Sequence, residues 1–237
     1  MLKCSFDHVP GLFLFADDFD ADSCALLVRR SLELYARLEA QLAPAPQLQS
    51  ARIPQPAFVC SAKHNLPSEE HYARLRLTEA GELVIRCEYF PRYGEDGHAL
   101  CYFQGNANLP DFVRDDLVAG IRQTVEREGL VDEGQELTWK LTMNFYKSIG
   151  GQVAGFPFHV DIPSNGVVTM ILNVHREALF QIARDDAVTD VELPVGGLLV
   201  LSGESRYEWK HRVLPKKADR PDTPGVIERV SLVLGYQ

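Results

Sequence analysis

The stretch Phe158-His159-Val160-Asp161 sets an imidazole and a carboxylate two residues apart, and His211 follows inside Tyr207-Glu208-Trp209-Lys210-His211-Arg212-Val213. On a strand, side chains two residues apart leave the same face. His159 and Asp161 are therefore expected to reach one ion, with His211 as a third ligand. Two histidines and a carboxylate on one face of a metal leave three positions open, the donor set that suits oxygen-activating non-haem iron(II). An H-x-D pair alone is common, and its plain alternative is a hydrogen-bonded strand pair with no metal. The surrounding sequence decides between them.

Strands are needed to hold such a set, and the C-terminal half supplies them. Candidate strands are Leu137–Tyr146, Pro157–Asp161, Val167–Val174, Leu179–Ala183, Val188–Leu193, Leu198–Ser202, Tyr207–Val213 and Arg229–Tyr236. Glycine or proline punctuates most of the gaps, and no helical pattern lies between the strands. A sandwich or barrel is expected rather than a parallel βαβ sheet.

The N-terminal half is mixed. Residues 8–17 read as an edge strand or turn. A helix follows the acidic, capped start Asp18–Ser23 and stops at Ala43-Pro44-Ala45-Pro46. A second amphipathic helix runs over 110–129, opened by Pro110 and closed by Gly129. Between them, residues 44–69 are proline-rich and irregular, and 72–90 alternate about Glu79-Ala80-Gly81 as a β-hairpin.

Composition narrows the class. Of the 237 residues, 46% are hydrophobic and 24% charged, which is globular rather than disordered usage. No apolar run approaches the ~20 residues of a membrane-spanning helix, and the first residues do not read as a secretory signal. The net charge of -9 argues against strong nonspecific binding of DNA phosphates. The cysteines, Cys4, Cys24, Cys60, Cys87 and Cys101, are odd in number and form no C-x-x-C pair. Free thiols in a reducing cytoplasm are the expectation. The chain is read as one domain, 1–237, with a helical and lid part over 1–135 and a catalytic core over 136–237.

Over roughly residues 105–237 the sequence resembles the AlkB family. Asn144-Phe145-Tyr146 is similar to its N-x-Y, His159-Val160-Asp161 to its H-x-D, and Gly203–His211 to the glycine- and arginine-bearing stretch before its distal histidine. Arg229-Val230-Ser231 falls where the family's keto-acid arginine sits. The resemblance implies a mainly β (α+β) chain with flanking helices around a double-stranded β-helix, or jelly-roll, core. It also implies an Fe(II)- and 2-oxoglutarate-dependent dioxygenase, an oxidative demethylase or hydroxylase of an N-alkylated nucleobase or protein side chain. Iron would be held by His159, Asp161 and His211. Arg229 would pair with the distal carboxylate of 2-oxoglutarate, assisted by Asn144, Tyr146 and Ser231. The family's second C-terminal arginine is Gly235 here, which removes a cationic contact from the keto acid and a partner from Asp161, with Arg206 as the candidate substitute. The competing reading is a non-catalytic metal-binding jelly roll acting as a sensor or interaction module.

Other residues carry plainer expectations. His175 reads as a strand-end histidine, and Trp209 either lines the metal pocket or fills the barrel. Tyr89, Phe90, Tyr93 and Phe103 read first as packing and second as a stacking platform for a flat substrate. The basic group Arg212, Lys216, Lys217 and Arg220 reads as a solvated loop rather than a phosphate contact.

Overall fold

Alternation along three long strands shapes the molecule. In Trp139–Ile149 (β7), Val168–His175 (β10) and Ile227–Tyr236 (β16), apolar residues alternate with polar or mixed ones, yet both sets are almost wholly buried. A strand buried on both faces must lie inside a layered fold. In the computed structural model, which describes residues 3–17, 19–42, 58–61, 72–75, 85–88, 98–149, 151–161, 163–220 and 226–237, these strands form the centre of the major sheet.

The major sheet also contains Lys3–Ser5 (β1), Leu12–Phe15 (β2), Phe58–Ser61 (β3), Tyr72–Leu75 (β4), Ile85–Glu88 (β5), His98–Gln104 (β6) and Leu198–Leu201 (β13). Its order is β1-β2-β13-β10-β16-β7-β6-β3-β5-β4, and the short strand Gln152–Val153 (β8) branches from β7 to pair with Lys216–Lys217 (β15). A minor antiparallel sheet stacks Ala187–Leu193 (β12), Ala178–Arg184 (β11), Lys210–Val213 (β14) and Phe156–His159 (β9), in that order. Apart from the parallel pair β3 and β5, both sheets are antiparallel, and together they make the jelly roll that the resemblance implies.

The two faces of the major sheet do different work. Met143, Phe145, Met170, Leu172, Leu232 and Leu234 meet Leu27, Leu34 and Tyr35 of the helix Ala21–Leu42 (α1) and Ile121 and Val125 of the helix Val118–Arg127 (α2). The opposite face carries Leu14, Tyr146, Ile171, Leu199 and Leu201, which pack on Phe156, Phe180, Ile182, Val191 and Val213 of the minor sheet. Each fully buried side chain of this kind stabilises the fold by roughly 1.5–3 kcal/mol.

Several expectations need correction. Residues 12–15 are not at an edge, because β2 lies between β1 and β13; the outer strand is β1. The expected strand 207–213 begins only at Lys210. Gly203–Tyr207 is instead a short helix (α3), held where the Ser202 N–H donates to the Ser205 hydroxyl at 3.0 Å. The second helix opens with a π turn over Val113–Leu117 before α2 begins. The hairpin expected over 72–90 pairs as β4 with β5, Tyr72 opposite Glu88; its turn, with Tyr89, Phe90 and Tyr93, lies outside the described residues. Phe103 is buried in the core, as expected. Among the described residues, no helix is long and apolar enough to cross a membrane.

Candidate metal centre

The histidines are placed by direct cross-strand pairing. His159 on β9 faces His211 on β14, with ring centroids 4.2 Å apart. Phe156 meets His159 edge-on at 4.4 Å, and Phe180 stacks on His211 at 5.3 Å. These rings leave each imidazole little freedom to turn. His159 Nδ1 lies 2.8 Å from the Pro157 carbonyl. As a donor there, Nδ1 carries the proton and Nε2 is left as the ligand atom.

Asp161 departs from the strand-face argument. β9 ends at His159, so Asp161 lies beyond the ladder, where no neighbouring strand orients it. Arg206, on α3 and fully buried, holds it instead: Nη1 donates to the Asp161 main-chain oxygen at 3.0 Å. The carboxylate then turns toward both imidazoles, with Oδ1 at 3.6 Å from His159 Nε2 and Oδ2 at 3.8 Å from His211 Nε2. Burial by itself would raise the Asp161 carboxyl, but His211, His159 and the Arg206 guanidinium outweigh it and hold the group well below the usual carboxylate range.

The donor set fits a divalent cation. One ligand atom from each of His159, Asp161 and His211 lies within 4.8 Å of the others. The spacings of the carboxylate oxygens to the two imidazoles, 3.6 and 3.8 Å, are shorter than twice a metal–ligand bond of about 2.1 Å. Asp161 Oδ2 is buried without a hydrogen-bond partner among the described residues. Leaving a buried carboxylate oxygen without a partner is costly unless something cationic meets it.

The four residues expected to hold a keto acid form two facing pairs. Arg229 is opposite Tyr146 and Ser231 is opposite Asn144 on the paired strands β16 and β7. All four line the same cleft as His159, Asp161 and His211, together with Thr142, Asn165, Ile171, Phe180 and Val233. Arg229 is buried, its guanidinium 4.2 Å from the centre of the Tyr146 ring. Its Nε donates to Asn173 Oδ1 at 3.3 Å, while Nη1 and Nη2 have no hydrogen-bond partner among the described residues. A guanidinium fork buried in this state suits a carboxylate with two oxygens.

Sequence reasoning missed Asn165 and Asn173. Asn173 interrupts the apolar run of β10, and its amide donates to the carbonyls of Arg176, Leu193 and Pro194, which fixes its oxygen toward Arg229. A polar residue inside such a run was the available signal. Arg206, whose direction the sequence left open, points to Asp161. Trp209 packs in the core between the sheets and is not among the described residues lining the cleft. His175 stands at the exposed end of β10, outside the three-residue cluster. Of the basic group, Arg212 donates to Gln181 and stacks on Phe158, and Lys216 lies 3.8 Å from Glu177.

No protein-family model matches the chain. Over 114 residues it is 36% identical to the tRNA (carboxymethyluridine(34)-5-O)-methyltransferase alkbh8 of Xenopus tropicalis, a stretch that is 47% of this chain and 16% of that protein. The chain thus spans a small part of that relative's length. Among solved structures, a Pseudomonas putida prolyl-4-hydroxylase is similar over 94% of this chain and 91% of its own, with a TM-score of 0.52 at 17% identity, which is a likeness of fold. The structure of OsALKBH1 aligns over 95% of this chain and 97% of its own at 17% identity, with a TM-score of 0.44. The chain has a jelly-roll fold and is similar over part of its length to an alkbh8 protein. Within that class, it presents a His-Asp-His cluster and a buried arginine on one cleft.

Proposed function

We propose that the protein is an Fe(II)- and 2-oxoglutarate-dependent dioxygenase that hydroxylates an N-alkyl carbon. The observation that carries this reading is the placement of two complementary half-sites on one cleft. His159, Asp161 and His211 offer a three-donor face to a metal, and Arg229 offers an open guanidinium fork. A metal-binding module without turnover has no need of the second half-site.

Iron(II) with bound 2-oxoglutarate supplies oxygen activation, and hydroxylation of an N-methyl carbon releases formaldehyde and the free amine. The chain's own residues bind and orient. His159, Asp161 and His211 would hold the metal. Arg229 would take the distal carboxylate of the keto acid, with the hydroxyls of Tyr146 and Ser231 and the Asn144 amide as further hydrogen-bonding groups. Ile171, Phe180 and Val233 exclude water beside these polar groups, which strengthens each charged contact.

The substrate is proposed as an alkylated nucleobase, with a methylated protein side chain as the second reading. A relative named for a tRNA nucleotide supports the first. The acidic charge of -9 favours contacts confined to the site over a long phosphate-binding surface. The test is a screen of methylated oligonucleotides, peptides and small amines for formaldehyde release with Fe(II), 2-oxoglutarate and oxygen. Release from oligonucleotides alone supports the nucleobase reading, and release from peptides alone replaces it with the second.

A further inference from the structure

We propose that Asn165, seated by the bare backbone of Gly235, is the positioning residue that fixes the Asp161 carboxylate as a one-oxygen metal ligand; this rests on the metal-site reading above. Asp161 lies outside the β9 ladder, so its side chain depends on tertiary partners for its orientation. Asn165 Nδ2 donates to Oδ1 at 3.4 Å. Oδ1, 3.6 Å from His159 Nε2, is thereby engaged, and Oδ2, 3.8 Å from His211 Nε2, is the buried oxygen left without a hydrogen-bond partner among the described residues.

Asn165 reaches this position because its turn lies directly on β16. It closes the 3-10 turn Pro163–Asn165, and the Val167 N–H behind it donates to the Tyr236 carbonyl at 2.9 Å. A Cβ added at Gly235 would stand 1.7 Å from the Asn165 carbonyl oxygen and 3.0 Å from that of Val168. A Cβ added at Gly166 would stand 2.5 Å from both the Tyr236 nitrogen and oxygen. Two glycines thus let two backbones touch. Any side chain at 235 would displace the turn that delivers the amide, so the absence of a side chain there is a requirement of this arrangement. Asn165 itself is 6% exposed and lines the cleft beside Asp161.

The test is titration of the apo protein with Mn(II), read from the paramagnetic resonance of the free ion, with no keto acid present. Asn165→Leu and Asn165→Ala both remove the amide but differ in packing. Both should raise the Mn(II) dissociation constant by about tenfold or more, the usual effect of losing an outer partner of a ligand. Gly235→Ala, which touches no ligand, should weaken Mn(II) as well. A dissociation constant that follows the apo melting temperature, raised in one Asn165 variant and parental in the other, overturns the proposal, and so do parental constants in all three. A parent protein that binds no Mn(II) instead overturns the metal-site reading on which it stands.

Discussion

His159 and His211 are direct partners across the ladder of β9 and β14, so two candidate ligands far apart in sequence are set by a single register. A slip of one residue would turn either side chain to the other face. A register shift falls between His211 and Val213, immediately beside this pair. The site is therefore built into the sheet on its histidine side and onto a loop on its carboxylate side.

From this follows a prediction about the metal. Asp161→Ala removes the only carboxylate of the cluster without touching either strand, so Mn(II) or Fe(II) binding should be lost while the circular dichroism stays that of the parent. His159→Ala should behave alike, since this ring packs against Phe156 and His211 rather than deep in the core. Parental metal content in both purified variants would remove these residues from the site.

Arg229 carries the keto-acid assignment. A bidentate charge-assisted pair in a buried setting contributes roughly 1.5–3 kcal/mol, or about tenfold or more in affinity. Arg229→Ala should raise the 2-oxoglutarate dissociation constant of the Mn(II)-loaded protein at least about tenfold by anaerobic calorimetry. Arg229→Lys should recover only part, since an ammonium cannot form the fork. Mn(II) binding itself should survive both changes.

Asn173 gives a related but separable expectation. It orients Arg229 through one hydrogen bond and is itself tied to three carbonyls. Asn173→Ala should weaken 2-oxoglutarate less than Arg229→Ala does. It should also lower stability by about 1–3 kcal/mol, because buried carbonyls lose their donor. Denaturant melts together with the same calorimetry separate the two effects, and an Asn173→Ala protein of parental stability would contradict the role given to its amide.

The start of β16 makes a pH prediction. Burial opposes ionisation of Glu228. The main-chain N–H groups of Asp219 and Arg220, at 2.7 and 3.3 Å, and the Arg176 guanidinium outweigh it and hold the carboxyl below its ordinary value. A depressed folded-state value means the stabilisation is present above the unfolded value of 4.5 and is lost as pH falls through the folded one. Glu228→Gln should therefore cost about 1.5–3 kcal/mol at neutral pH and much less under acid, measured by urea melts at both pH values. An equal cost at both would show that the charge of Glu228 is not what matters.

The resemblance supplied the keto-acid residues, and strand periodicity explains why they converge. Asn144 and Tyr146, and Arg229 and Ser231, are spaced two apart, and their strands are adjacent in the sheet, so all four reach one cleft. His211 was named from its residue type and from the resemblance, not from a period. Asp161 was found on a premise that fails, because the strand ends before it, and a tertiary contact from Arg206 restores the geometry. Neither Arg206's direction nor the Asn165 contact leaves a local pattern. Each depends on a loop or short helix meeting a distant segment, and propensity carries no information about such meetings. α3 was hidden for a similar reason, since Gly203-Glu204-Ser205-Arg206-Tyr207 is too short to show a period.

The central claim is that the metal cluster and Arg229 act together on a keto acid. The most direct measurement is succinate formed from 2-oxoglutarate by the Fe(II)-loaded protein in air, for the parent, Asp161→Ala and Arg229→Ala. The account predicts iron-dependent succinate from the parent, none above background from Asp161→Ala, and a rate for Arg229→Ala that is recovered at raised 2-oxoglutarate. No succinate from an iron-loaded parent at any keto-acid concentration, or equal amounts from parent and Asp161→Ala, would contradict it.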